Sequence, residues 1–291
     1  MSSISINREQ LTHLFQLLDD ESKEIQQIIR KQILSNSLEI VLNKQFFIET
    51  LFPRHRQFFE EILSELHQPI TFRAFEQLLE EPQDEISLEK GWLILSFWHS
   101  PKIYSTTLRN ILDEVAEHVA EKMPHRGHPL TFIDHVNHIL FEHYQFRGNS
   151  ADFYNPLNSF LHCVLETKLG TPISLSALYM LVCQRLQFPV FGVCMPAHFI
   201  VKFDNGEDEI FFDPFYKGKV YSRQSCINYL QQFNNYDSEK ILQGCSNIEI
   251  IKRILRNLHI SYSSHTLEPT RLNDIEHLLA LIEVYYPDKQ L

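Results

Sequence analysis

Between Phe188 and Tyr221 the chain leaves the helical spacing that governs the rest of it. The runs FPVFGVCM, HFIVKF, EIFFD and KVYS are β-branched and aromatic, short, and separated by Pro, Gly and an Asp-Asn-Gly-Glu turn. A period of two over so short a stretch builds a small antiparallel sheet between about Val190 and Tyr221. Helices are expected elsewhere, which makes the fold mainly helical α+β.

In the first part of the chain, Leu11, Leu14, Phe15 and Leu18 form one apolar stripe and Ile25, Ile28, Ile29 and Leu34 another. The Asp-Asp-Glu-Ser break between them implies two short antiparallel helices. The pair resembles a HEAT-type repeat, although no second copy follows at a fixed period. Further helical patterns run over Arg56–Leu66, Ile70–Leu79, Leu88–Trp98, Ser105–Met123 and Pro129–Tyr144, each bounded by Pro, Gly or charged residues. After the strands, Ile248–Ser263 and Leu267–Tyr286 read as a helical hairpin that serves packing or partner binding. The expected organisation is a helical, HEAT-like region over 1–85, a core over 86–230 and a C-terminal helical hairpin over 231–291.

Charge narrows the partners. Lys and Arg number 26 against 37 Asp and Glu, a formal net charge of -11, so a nucleic-acid backbone would meet a repulsive field. No run approaches the roughly 18 apolar residues of a membrane span, and the start MSSISINREQL lacks the basic and apolar regions of a secretion signal. The five cysteines, Cys163, Cys183, Cys194, Cys226 and Cys245, are odd in number and lack CxxC spacing, which suits reduced thiols. A cytoplasmic protein, with no nucleic-acid or membrane partner, is the expectation; the oligomeric state stays open.

Asn205-Gly206 is a strong hairpin signal, because a two-residue type I′ turn needs positive φ at both central residues. Taken as the loop, it sets Lys202 opposite Glu209, Ile200 opposite Phe211 and His198 opposite Asp213. Phe199, Val201, Phe203, Ile210 and Phe212 then share the other face, as a one-sided core requires. An imidazole thus comes beside a carboxylate, an arrangement that serves either as a catalytic pair or as a structural hairpin closure.

Upstream, Thr171-Pro172-Ile173-Ser174 opens a helix, with Thr171 at the N-cap and Pro172 at N1, and LSALYMLVCQRL continues it as a buried helix. Ser174 then lies near unpaired backbone N–H groups, where a nucleophile and a developing oxyanion are favoured. The alternative is a serine that satisfies local backbone groups, which is the expectation for Ser176. Cys194, four residues before His198, is a second nucleophile candidate if no bulge intervenes, and Met195-Pro196 favours a bulge. His135, His138 and Glu142 share one helix face, but opposite an apolar face of Phe132, Ile133, Val136, Ile139 and Leu140, so a solvated flank is expected there and no metal.

The order of parts, a buried helix start, then His on one strand and Asp on the next, is that of papain-like and transglutaminase-like folds. More closely, FxGN at Phe146–Asn149, NPxNSxL at Asn155–Leu161, GxPISLS at Gly170–Ser176, PxHF at Pro196–Phe199 and DPF at Asp213–Phe215 resemble, in that order, the SirB-type family of transglutaminase-like proteins. The segments GWLILSFWHSP and LDEVAEHVAEKM also fit, so the resemblance covers about Leu88 to Val220. It implies a transglutaminase-like core with a small antiparallel sheet, flanked by helical N- and C-terminal regions, and relatives that often carry tetratricopeptide repeats. It also sets His198 and Asp213 at the family's histidine and aspartate. Transglutaminases proper start the buried helix with cysteine, where this chain has Pro172, Ile173 and Ser174. Two readings follow. One is a catalytically atypical or inactive member that binds protein or peptide. The other is a cofactor-independent acyl-transfer or amide-hydrolysing enzyme in which Ser174 attacks, His198 is base and acid, and Asp213 orients the ring. Asn158, in NPLNSFL, is either a residue of the binding cleft or a turn residue.

Overall fold

The computed structural model describes residues 7–82, 85–121, 123, 127–233, 236–266 and 268–287. The α-helices among them are α1 (Arg8–Phe15), α2 (Lys23–Ser35), α3 (Ser37–Thr50), α4 (Pro53–Glu65), α5 (His67–Leu79), α6 (Leu88–His99), α7 (Ser105–Glu121), α8 (Pro129–Asn137), α9 (Leu161–Thr167), α10 (Pro172–Arg185), α11 (Arg223–Leu230), α12 (Ser238–Leu242), α13 (Asn247–Ser261) and α14 (Pro269–Tyr285). The strands are β1 (Arg147–Gly148), β2 (Leu169–Gly170), β3 (Val190–Val193), β4 (Ile200–Asp204), β5 (Glu209–Asp213) and β6 (Lys219–Tyr221). The protein is mainly helical α+β. Leu267, the first residue of the second helix expected in the final hairpin, lies outside the described residues.

By compactness the chain divides into Arg109–Ala280 and a second unit of Met1–Leu108 with Leu281–Leu291. Packing sets that division. Helix α6 lies against α3 and α5, which keeps it with the N-terminal helices, while α13 lies against α10 and so joins the sheet. In the N-terminal unit the rings of Phe15, Phe47 and Phe59 form one cluster, with Phe15 centred 5.4 Å from Phe47 and 4.9 Å from Phe59. Helix α3 has no single apolar stripe: Ile40, Val41, Leu42 and Phe47 are all buried, so it presents no helical period to a reader of the sequence.

In the larger unit α10 is the central rod. Thr171 caps it, Pro172 occupies N1, and Pro172–Tyr179 and Leu181–Cys183 are all buried, as expected of a helix apolar on every side. A four-stranded antiparallel meander, in order β3-β4-β5-β6, packs one face on α10, where the Tyr179 and Phe212 rings are 5.0 Å apart. On the other face Val193, Ile200 and Phe211 form a core with Cys226, Leu230 and Leu242 of α11 and α12. A second, unexpected pairing is the parallel bridge of β1 with β2, Arg147 to Leu169 and Gly148 to Gly170, two residues long and therefore without a readable alternation.

The hairpin register differs from the one the Asn-Gly pair implies. Lys202 pairs with Phe211 and Asp204 with Glu209, so the loop is Asn205–Asp208 and the register has moved by two residues. Only Gly206 has positive φ, at 85°; the Asn205 carboxamide oxygen instead accepts from the amides of Glu207 and Asp208, at 2.9 and 2.7 Å, and stabilises a four-residue loop in place of the type I′ turn. A two-residue shift preserves faces, which is why Val201, Phe203 and Phe212 are still buried together. Lys202 still reaches Glu209, at 3.1 Å, and also Asp204, at 2.8 Å.

Candidate functional site: a histidine between two cavities

His198 is not in the ladder. Strand β3 ends at Val193, which pairs with Ile200, so Cys194–Phe199 is a connecting turn. The His198 amide donates to the Met195 carbonyl at 3.2 Å, and Ala197 takes a φ of 56°, a left-handed conformation consistent with the expected irregularity at Met195-Pro196. From this turn the ring reaches diagonally to the end of β5, where His198 Nε2 meets Asp213 Oδ2 at 2.6 Å. Asp213 is fully buried, whereas the His198 side chain retains 22% of its exposure, so the pair has one dry end and one open end.

Asp213 is fixed from its own side. Its Oδ1 accepts the Phe215 amide at 2.9 Å, capping the turn Pro214–Tyr216, and its carbonyl accepts the Gly218 amide at 2.7 Å. Gly218 has a φ of 76°, and a Cβ there would lie 2.2 Å from the Asn137 amide group. Gly218→Ala is therefore expected to lower stability by about 2 kcal/mol, from left-handed strain plus displacement of Asn137, as read from urea denaturation. An unchanged midpoint would show that the turn tolerates a side chain.

Ser174 lies at the start of α10, fully buried, and its hydroxyl is occupied. Ser174 Oγ donates to the Asn158 carbonyl at 2.7 Å and accepts the Thr171 amide at 2.8 Å, while the Thr171 hydroxyl accepts the Ser174 amide at 3.3 Å. This is a capping box with serine in the N3 position. Among the described residues no hydrogen bond joins Ser174 to His198. The cap won the competition for the hydroxyl, because the Thr171 N–H would otherwise be a buried orphan donor. Ser176, expected to satisfy local backbone groups, does not: its buried hydroxyl has no partner among the described residues.

Asn158 is a structural node. Its side chain accepts from Asn149 Nδ2 at 3.0 Å and donates to the Asp152 and Phe153 carbonyls at 2.8 and 3.3 Å, while its own carbonyl takes the Ser174 proton. The Asn149 amide donates to the Gly170 carbonyl at 3.0 Å. The Phe215 ring closes over Gly148, where a Cβ would lie 2.4 Å from it, and over Phe153, 6.2 Å between centroids. The five motifs of the sequence therefore interlock around one place.

Cys194 is engaged by Cys245, and among the described residues no hydrogen bond joins it to His198. Its thiol hydrogen-bonds that of Cys245, which this contact and burial push upward, and the Cys245 amide donates to the Gly192 carbonyl at 2.9 Å. His135, His138 and Glu142 do not converge on one point: His135 Nε2 contacts the Val119 carbonyl at 3.1 Å and Glu142 pairs with Lys217 at 3.0 Å.

His198 stands in the wall of two cavities. One, of about 550 Å³, is bounded by Met195, Tyr216, Tyr221, Cys226 and Tyr229. On its wall burial, then Asp213, raises the Tyr221 hydroxyl, and burial with Glu209 pushes the Cys226 thiol up to about 11. The other, of about 390 Å³, lies at the start of α10, between Pro172 and Ile173, the loop residues Phe153 and Tyr154, and Arg253 and Arg256 of α13. The sequence does not single out those two arginines, because the final hairpin is expected to serve packing or partner binding as a whole. The available signal was a pair of arginines three apart, opposite the stripe Ile250, Ile251, Ile254, Leu255 and Leu258.

A helix start facing a turn-borne histidine that bonds an aspartate on the adjacent strand is the arrangement expected of one superfamily, and the family comparison agrees: residues 106–256 match the transglutaminase-like superfamily. The chain belongs to the transglutaminase-like superfamily. It is similar to F-box only protein 21 of Mus musculus and of Homo sapiens, each 28% identical over 233 residues that cover 68% of this chain and 36% of the relative. A UPF0162 protein of Xylella fastidiosa (strain 9a5c) is 33% identical over 135 residues, 44% of this chain and 48% of its own length. The aligned part of the chain thus spans about a third to a half of these relatives. No solved structure gives a significant match. Among the described residues no helix is long and apolar enough to cross a membrane.

Proposed function

We propose that this transglutaminase-like protein is a catalytically atypical, SirB-type member that binds a protein or peptide segment in the cleft beside His198, without passing an acyl group through Ser174. One observation carries the reading: the single hydroxyl proton of Ser174 is given to the Asn158 carbonyl at 2.7 Å, inside a fully buried cap. To attack a carbonyl carbon, that oxygen would have to leave the Thr171 amide and reach solvent past Pro172 and Ile173. Two cavities flanking an ordered histidine are instead suited to holding a ligand. The reading includes a cytoplasmic setting, with which five free cysteines agree.

A second reading, acyl transfer or amide hydrolysis through Ser174, His198 and Asp213 without a cofactor, is favoured by the 2.6 Å contact of a partly open imidazole with a buried carboxylate. A serine-directed phosphonate probe separates the two. No covalent labelling of the native chain is expected. Labelling of the native chain that disappears in both Ser174→Ala and His198→Ala would replace the binding reading with the enzymatic one.

A further inference from the structure

Arg253 and Arg256 stand three residues apart on α13, which brings both guanidinium groups to one side of the helix and to the wall of the 390 Å³ cavity. Several arginines elsewhere in this acidic chain pair with a carboxylate: Arg8 meets Glu39, Arg30 meets Glu65, Arg185 meets Asp113 and Arg223 meets Glu239. Here neither has an acidic partner among the described residues. The Arg253 Nη2 donates to the His198 carbonyl at 3.2 Å, which leaves most of its fork free, and Arg256 is exposed and makes no hydrogen bond among the described residues. No lining residue of the cavity is acidic. Two like charges in one recess repel each other until an anion joins them.

Around that charged floor the rim is apolar and solvent-facing. Phe153, Tyr154 and Ile260 are all exposed large side chains. The first two sit on the loop that Asn158 braces, so the rim is held in place without a ligand. A volume of about 390 Å³ fits one or two side chains of an extended segment, and not a folded surface.

We propose that this recess reads a carboxylate on a bound peptide, seating it between Arg253 and Arg256 while a neighbouring aromatic or aliphatic side chain lies against Tyr154 and Ile260. The inference rests on the binding reading above and names its ligand class. It also runs against the net charge of -11, which by itself would favour a basic partner. The local arginine pair outweighs that field at contact distance, because exposed charges more than about 10 Å away are largely screened at ordinary salt.

The test uses the full-length chain as bait for two random-sequence peptide libraries, one C-terminally amidated and one with free carboxylates. Enrichment of Asp or Glu next to an aromatic or aliphatic residue in the amidated library is expected, and would identify a side-chain carboxylate. Enrichment confined to the free-carboxylate library would support the subsite with the peptide C-terminus as its source. In either case Arg256→Gln, which touches no internal partner, should lower the affinity of enriched peptides by about tenfold or more. The double variant Arg253→Glu/Arg256→Glu, if folded by circular dichroism, should shift the preference to Lys and Arg. Acidic peptides bound equally well by Arg256→Gln would overturn the subsite. Enriched peptides without carboxylate preference, lost on Tyr154→Ala, would overturn it while leaving the binding reading intact. No enrichment from either library would overturn both.

Discussion

Replacing Ser174 by alanine is expected to lower folding stability by about 2–4 kcal/mol, because two buried backbone groups lose their partners at once. The Asn158 carbonyl loses its donor at 2.7 Å and the Thr171 amide its acceptor at 2.8 Å, and both residues are almost wholly buried. No large cavity opens, since only one oxygen is removed, so the loss measures the hydrogen bonds and not repacking. The reciprocal bond from the Ser174 amide to the Thr171 hydroxyl remains and keeps the helix start in place. Urea denaturation should therefore show a lower midpoint with an unchanged slope. The sign is informative. Nucleophiles are commonly held in strained, destabilising positions, and their removal tends to be neutral or stabilising. A Ser174→Ala variant as stable as the parent, or more so, would contradict the capping role and return Ser174 to candidacy as a nucleophile.

What was legible in the sequence was whatever announced itself locally. The break Asp19–Ser22 divides two apolar stripes, and α1 and α2 end and begin on either side of it, with Ser22 capping α2. Thr171-Pro172 marks the start of α10 to the residue, because both residues act only on their own first turn. The sheet lies where the period changes. Illegible were elements without a period: α3, buried on several sides, and the two-residue strands β1 and β2, whose pairing is between segments distant in the chain.

The site was half legible for the same reason. His198 and Asp213 meet although the register that suggested it was off by two, because the shift left both on one side of the sheet and the turn at Ala197 swings His198 diagonally onto the end of β5. A loop of four residues in place of two was decided by the Asn205 side chain, which offers the backbone an alternative that a dipeptide signature does not encode. Arg253 and Arg256 come from a helix some fifty residues downstream of His198 and enter the cleft only through the packing of α13 on α10. No local spacing carries that information.

The His198–Asp213 pair should behave as a strongly coupled unit in a double-mutant cycle. His198→Ala leaves a fully buried carboxylate with the Phe215 amide as its remaining bonded partner, and breaking a buried pair from one side costs about 3–5 kcal/mol. Asp213→Ala removes the charge along with the bond. It strands the Phe215 amide, but the imidazole it releases retains access to water and can hydrogen-bond there. His198→Ala is accordingly expected to be the more damaging single change. The double variant should be more stable than the sum of the two losses implies, by about 1–3 kcal/mol, because removing the second partner relieves the stranded charge. Guanidinium denaturation of all four proteins gives the cycle directly. Losses that add to within about 0.5 kcal/mol would mean that the 2.6 Å contact carries no net coupling. In that case the buried carboxylate is held by the Phe215 turn alone, and His198 is free to move within the cleft it lines.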